Sequence, residues 1–369
     1  MTNAPEVSPE RMKTLLALSE EALSEDLRDR LHPLTMFGVA DPAGEGYLFV
    51  RFGGAPGHGT TLEALIGGLG LRHGMDLYSD TFDKDRVRDH LTMQAMARAS
   101  YTSREGLASF EAKIYDELGY QPAAPDRWPM FRSFRPGCSP SAPLPKDLER
   151  LITVMEQAKA LAERVPSETW LHETVSGNQH VLLVRVPERD EKGETRWVDQ
   201  WWEPELAEYT RLPVTDEVRA QRVVKEFPQN AEAEWEADAF FGPVTVEKSP
   251  AVSDDHRVFP LAGEEDELSS IGRLVAICNP KKEELLKLAV FSLERSWVEL
   301  QELLLDAIEH AQERPRYLAV IRPDVYSALI NLCEALDIEL FTPARLPGAE
   351  AVQKYVKQQG SALFRSENS

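Results

Sequence analysis

Trp128, Arg132, Arg135, Asp324 and Glu350 are the residues whose types and surroundings could bind a ligand. Arg132 and Arg135 lie three apart among Trp128, Phe131 and Phe134, and guanidinium forks beside aromatic faces can hold a carboxylate or phosphate by paired hydrogen bonds. Positions three apart in a strand face opposite sides, so aromatic core packing, with the arginines tied to surface carboxylates, accounts for the same run. Asp324 follows the strand-like run Tyr317–Ile321, and Glu350 opens the last helix-like segment. The run R-P-D-V-Y suits Asp324 equally well as the N-cap of a helix from Val325. The glycine-rich segment Gly54 to Thr61 has the outline of a phosphate-cradling loop, but Thr60 stands where the lysine is needed, and a turn explains the glycines.

Other chemistry is not called for. The 8 histidines are scattered, with no HExxH or HxH spacing, so no metal site is expected. There is no G-x-S-x-G elbow, Cys138 and Ser139 sit in a Ser/Pro-rich loop without a nearby base, and no cofactor is implied. Trp197, Trp201, Trp202 and Tyr209 form an aromatic cluster that can close a core or anchor an interface.

A chain of 369 residues exceeds what one core usually serves, so two modules are expected. The formal charge of −21 creates a field that repels phosphate backbones, which disfavours nucleic acid and leaves a solvated acidic surface or a protein partner. Cys138, Cys278 and Cys333 form no CxxC pair, the N-terminal segment has no signal-peptide pattern, and no stretch is long and apolar enough to span a membrane. Cytoplasmic residence and no membrane association are the expectations.

The fold class expected is α/β. Residues 1–225 read as a mixed α/β module, with a helix over Pro9–Leu31 started by Ser8, Pro9 and Glu10. A strand at Tyr47–Phe52 follows, then helical spacing at Thr60–Leu71, Arg86–Ala99 and Arg104–Leu118. Trp128–Pro136 reads as extended and Leu148–Val165 as a helix. Thr169–Val175 and Gln179–Val186 read as a hairpin, with a third strand at Arg196–Trp202. Residues 226–267, acidic and proline-bearing, read as a linker with at most short strands. Residues 268–369 alternate: strand Leu274–Cys278, a turn, a segment through Phe291, helix Trp297–Gln312, strand Tyr317–Ile321, helix Val325–Leu336, strand Ile338–Thr342 and helix Gly348–Gln358. Strands alternating with helices imply a mixed or partly parallel sheet flanked by helices.

The run RWPMFRSFRPG, Arg127 to Gly137, resembles the N-terminal module of an uncharacterised bacterial family. The run RPRYLAVIRPDVYSALINLCEALDIELF, Arg314 to Phe341, is similar to a second domain of unknown function that can follow it. The resemblance implies a two-module cytoplasmic protein and assigns no activity to any residue. More loosely, the order of elements in the second module resembles the ribonuclease H and integrase scaffold, which implies carboxylates at strand ends holding metal ions. Leu274–Cys278, read as the first strand, has no Asp or Glu where the central ligand belongs. A non-catalytic binding or protein-interaction protein is therefore expected, with a metal-dependent phosphodiester hydrolase on a degenerate ribonuclease H-like module as the alternative.

Overall fold

A computed structural model of the chain describes residues 9–31, 36–53, 60–76, 87–165, 167–168, 181–203, 206–246 and 270–359. It divides into two compact units: Met1–Lys84, Met93–Arg135 and Pro140–Ala207 form the first, and Asp85–Thr92, Pro136–Ser139 and Glu208–Ser369 the second. Each is a mixed sheet flanked by helices, the α/β class expected from the sequence.

The first unit holds α1 (Pro9–Ala22), α2 (Glu25–Leu31), β1 (Met36–Ala40), β2 (Tyr47–Gly53), β3 (Thr61–Ile66) and α3 (Gly67–Asp76). After α4 (Val87–Thr92), which belongs to the second unit, come β4 (Met96–Thr102), α5 (Ser109–Leu118), β5 (Trp128–Phe134), α6 (Pro145–Arg164), β6 (Leu182–Arg189) and β7 (Thr195–Trp202). The sheet order is β5-β4-β3-β2-β1-β6-β7, antiparallel throughout except where β1 and β6 run parallel. Successive strand side chains point to opposite faces. Val39, Leu48, Val50, Leu62 and Ala99 accordingly bury against Leu15 and Leu16 of α1 and Leu151 and Met155 of α6, while Phe49, Leu65 and Met96 pack on the other face with Leu71 of α3.

The second unit adds α7 (Glu217–Glu226), β8 (Gln229–Val246), β9 (Ser270–Asn279), β10 (Glu284–Phe291), α8 (Leu293–Ala311), β11 (Arg314–Ala319), α9 (Pro323–Ala335), β12 (Glu339–Phe341) and α10 (Pro347–Gln359). Its sheet order is β10-β9-β8-β11-β12. The strands β8, β9 and β10 are antiparallel, and β8, β11 and β12 are parallel. Phe240, Leu274, Ala276 and Cys278 face Val352 and Val356 of α10. The alternate residues Val275 and Ile277 are also fully buried, as expected of a strand covered on both faces.

Several expectations are corrected. The single helix over Pro9–Leu31 breaks at Leu23 and Ser24, because the Ser24 hydroxyl accepts from the Leu27 amide at 3.1 Å and starts α2. Thr60–Leu71 splits into β3 and α3, and Arg86–Ala99 into α4 and β4; in both cases pairing with two neighbouring strands outweighs weak helical spacing. The segment read as a linker contains β8, the central strand of the second sheet. Its residues Ala233, Trp235, Ala237, Ala239 and Phe241 alternate with Glu234, Glu236, Asp238 and Phe240, a period-two signal that the acidity obscured. Of the expected hairpin, residues 169–180 lie outside the described residues; Leu182–Arg189 pairs instead with β7.

The first unit buries a connected set of charges around α6. Arg150 of α6 donates to Asp41 (Nη2 to Oδ2, 2.7 Å) and to Asp147 (Nη1 to Oδ1, 3.1 Å), and Asp147 also accepts from Arg135 at 2.6 Å and Ser133 at 2.5 Å. Burial alone would raise the Asp147 carboxyl, but Arg135, Ser133 and Arg150 outweigh it and hold it below the ordinary range. Removing one partner of such a set leaves an uncompensated buried charge. Arg150→Ala is therefore expected to cost about 3–5 kcal/mol, read from urea unfolding; a loss within the spread of a surface variant such as Lys113→Ala would show the pairing to be dispensable.

Candidate functional site

The second unit carries a cluster of buried charge at the heart of its sheet. Because β8 is the first strand there, the carboxylates missing from Leu274–Cys278 are found on it: Glu236 and Asp238 are 3% and 1% exposed. Asp238 accepts from Arg322 Nε at 2.5 Å and from Gln353 of α10 at 2.6 Å, so each of its oxygens has a donor. Arg322, in the loop before α9, pairs through Nη2 with Asp89 of α4 at 2.7 Å, and Asp89 accepts the Phe241 amide at 2.9 Å. Burial would draw a proton off Arg322, but Asp238 and Asp89 outweigh it and hold the guanidinium charged.

Asp324 lies beside them in the first turn of α9, where the N-cap position belongs to Arg322 and not to Asp324 as the sequence suggested. It is bound instead by the Arg273 guanidinium and by Trp297 Nε1 at 3.2 Å. Arg273 in turn donates to the Ala239 carbonyl at 3.2 Å and lies over the Trp297 and Phe241 rings. Burial raises the Asp324 carboxyl, but Arg273 and Arg322 outweigh that and keep it below its ordinary value. Two arginines thus occupy the positions at which metal ions would meet these carboxylates.

The remaining sequence candidates are dispersed. Glu350 is half-buried and pairs with Arg345 at 3.0 Å, apart from the Asp238 set. Trp128 and Arg132 lie on β5 and Arg135 directly after it in the first unit, but Arg132 is held by Glu111 of α5 (2.5 and 2.9 Å) and Arg135 by Asp147. Trp128 stacks on Tyr115 at 6.0 Å, with Arg104 over its ring. The carboxylates that hold the two arginines are buried rather than on the surface, where the packing alternative had them. Most of the glycine-rich segment lies outside the described residues; Thr61, after it, begins a strand rather than the helix a phosphate-cradling loop requires.

A groove opens where α10 crosses the hairpin of β9 and β10. Cys278 and Leu288 form its floor, Pro347, Val352 and Tyr355 one wall, and Glu283, Glu284 and Leu285 the other, enclosing about 530 Å³. Glu236 sets the helix in place: its Oε2 accepts the Ala349 amide at 2.9 Å at the positive end of α10, while burial pushes its carboxyl upward. A Cβ on Gly348 would stand 3.0 Å from that carboxylate and 3.2 Å from Cys278 Cβ, so only glycine lets the helix approach this closely. Burial, with Glu236 and Asp238 nearby, pushes the Cys278 thiol up to about 12, leaving a neutral floor. Sequence reasoning missed this groove because its walls come from segments about seventy positions apart.

Residues 29–185 match the family model described as Domain of unknown function (DUF7309), and residues 220–357 match Domain of unknown function (DUF6930). The chain is a tandem of two uncharacterised domains. The second match spans β8 through most of α10, so the charge cluster apart from Asp89, and the groove, belong to that domain. No curated protein and no solved structure matches the chain. No helix among the described residues is long and apolar enough to cross a membrane.

The depressed Asp324 carboxyl fixes a pH dependence. Its folded pKa lies below the unfolded value of about 3.9, so its contribution is complete above that value and lost as pH falls through the folded pKa. The stability difference between the native protein and Asp324→Asn should be largest near neutrality and shrink below about pH 4. Urea unfolding across that range reads it; a difference constant with pH would show that the Asp324 charge adds nothing.

Proposed function

We propose that this protein is a non-catalytic, cytoplasmic binding protein that engages a protein partner through the groove between α10 and the β9–β10 hairpin. The observation that carries the reading is the seating of Arg322 between Asp238 and Asp89. A two-metal hydrolase needs carboxylates whose oxygens are available to cations. Here permanently charged guanidinium groups fill that role inside the fold, and a divalent ion would have to expel one from a fully buried position. Among the described residues, the groove offers a ligand a largely apolar opening bordered by exposed Leu285 and Tyr355.

Native mass spectrometry of the untagged protein from its own host should show added mass equal to a second polypeptide, and the double substitution Leu285→Asp with Tyr355→Asp should remove it. Both side chains are about half exposed, so the variant keeps its core. A bare monomer mass, or a complex indifferent to the substitutions, would count against the reading.

A second reading, a metal-dependent phosphodiester hydrolase on a degenerate ribonuclease H-like module, draws support from the sheet order and from Asp238 on the central strand with Asp324 beyond the fourth. It requires Arg322 to leave its carboxylates. Incubation of labelled single- and double-stranded DNA and RNA with Mg²⁺ or Mn²⁺ is expected to give no cleavage. Cleavage that disappears in Asp238→Asn and Asp324→Asn would establish the hydrolase instead.

A further inference from the structure

We propose that the occupant of the groove is an extended peptide segment of a partner protein, with a large apolar side chain seated between Leu288 and Val352 and an adjacent lysine or arginine paired with Glu283 and Glu284. This rests on the binding reading above and specifies its ligand.

The size of the groove sets the first limit. About 530 Å³ falls in the range of roughly 300–1,000 Å³ typical of small-ligand pockets, enough for one or two large side chains and too small for a folded surface. Its lining is apolar at the floor and on the α10 wall, and the side chains at its mouth, Leu285 and Tyr355, are 45% and 51% exposed. An exposed leucine and tyrosine over a neutral apolar floor favour a hydrophobic anchor that arrives with its own covering backbone.

Charge sets the second limit. Glu283 and Glu284 are the charged side chains lining the groove, and both are exposed. The two lysines just before them point elsewhere: the Lys281 ammonium donates to the Glu232 carbonyl at 2.7 Å, and Lys282 pairs with Glu313 at 3.0 Å. Glu283 is held in the left-handed region, φ 51°, by the tight turn from Pro280 to Lys282, and this turn delivers the two carboxylates side by side to the rim. The rim is thus acidic by construction, on a chain of net charge −21, and complements a basic residue beside the apolar anchor.

Edge position sets the third. Among the described residues β10 ends the sheet with β9 as its strand neighbour, and an extended segment could add to its outer backbone edge beside the rim. The bulge between Leu285 and Lys287 interrupts regular pairing there, which suits a short peptide and opposes a long ladder between two copies of the chain.

The test is selection of a phage-displayed random dodecapeptide library on the immobilised full-length protein, followed by fluorescence anisotropy with a fluorescein-labelled consensus peptide. Enriched peptides should pair a Leu, Ile, Phe or Trp with a neighbouring Lys or Arg. The consensus should bind at least about tenfold more weakly to Glu283→Lys with Glu284→Lys, as rim charge reversal predicts, and be lost from Leu285→Asp with Tyr355→Asp. All four changes are at exposed positions, and unchanged thermal unfolding confirms that the variants are folded. Enriched peptides without basic residues, or a consensus indifferent to both variants, would overturn the proposed occupant while leaving a binding protein. A dimer in sedimentation that Leu285→Asp with Tyr355→Asp dissociates would also overturn it, in favour of a second copy. No enrichment over an uncoated surface would overturn both the occupant and the binding reading.

Discussion

The second unit depends on placing acidic side chains in the middle of its sheet without leaving them unpaired. Transferring a carboxylate out of water costs several kcal/mol per ion, even after relaxation, unless its hydrogen bonds are replaced. Asp238, on the central strand, meets that cost with Arg322 and Gln353, and Arg322 in turn draws in Asp89 from α4. Asp324 and Arg273 repeat the solution beneath Trp297. These contacts tie β8, β9, the loop after β11, α8, α10 and α4 into one set, so the register of the central strand and the seating of two helices follow from charge pairing as much as from apolar burial.

The same pairing separates the two functional readings. The sheet order brings Asp238 and Asp324 near one another, as a metal-dependent hydrolase would need, yet the counter-charges are arginines supplied by the chain. A guanidinium cannot polarise a phosphate by direct coordination or activate a water as a metal ion does. The groove beside the cluster owes its shape to the same strand: Glu236, one inward-facing position from Asp238, anchors the N-terminus of α10 over the hairpin.

The elements that proved legible were those with strong local signals. α6, α8 and α9 follow apolar periodicity, α6 and α9 with proline in their first turns, and β9 and β11 follow their runs of branched and aromatic residues. β8 was misread because Glu and Asp depress strand propensity and suggest solvent, whereas here those acids alternate with Ala233, Trp235, Ala237 and Ala239. The error propagated: taking Leu274–Cys278 as the first strand hid the carboxylates that define the cluster. That Glu111 and Asp147 hold Arg132 and Arg135 could not be read from spacing alone.

By itself the sequence determined the class of the protein: two α/β modules, an acidic surface, and many carboxylates with arginines enough to pair the buried ones. Those properties follow from composition and local periodicity, which need no knowledge of distant neighbours. Only the tertiary structure decided which arginine meets which carboxylate, and that two glutamates line the rim of one groove. Such pairings depend on residues such as Asp89, Asp238 and Arg322, far apart in the chain, whose meeting is fixed by strand order rather than by any local pattern.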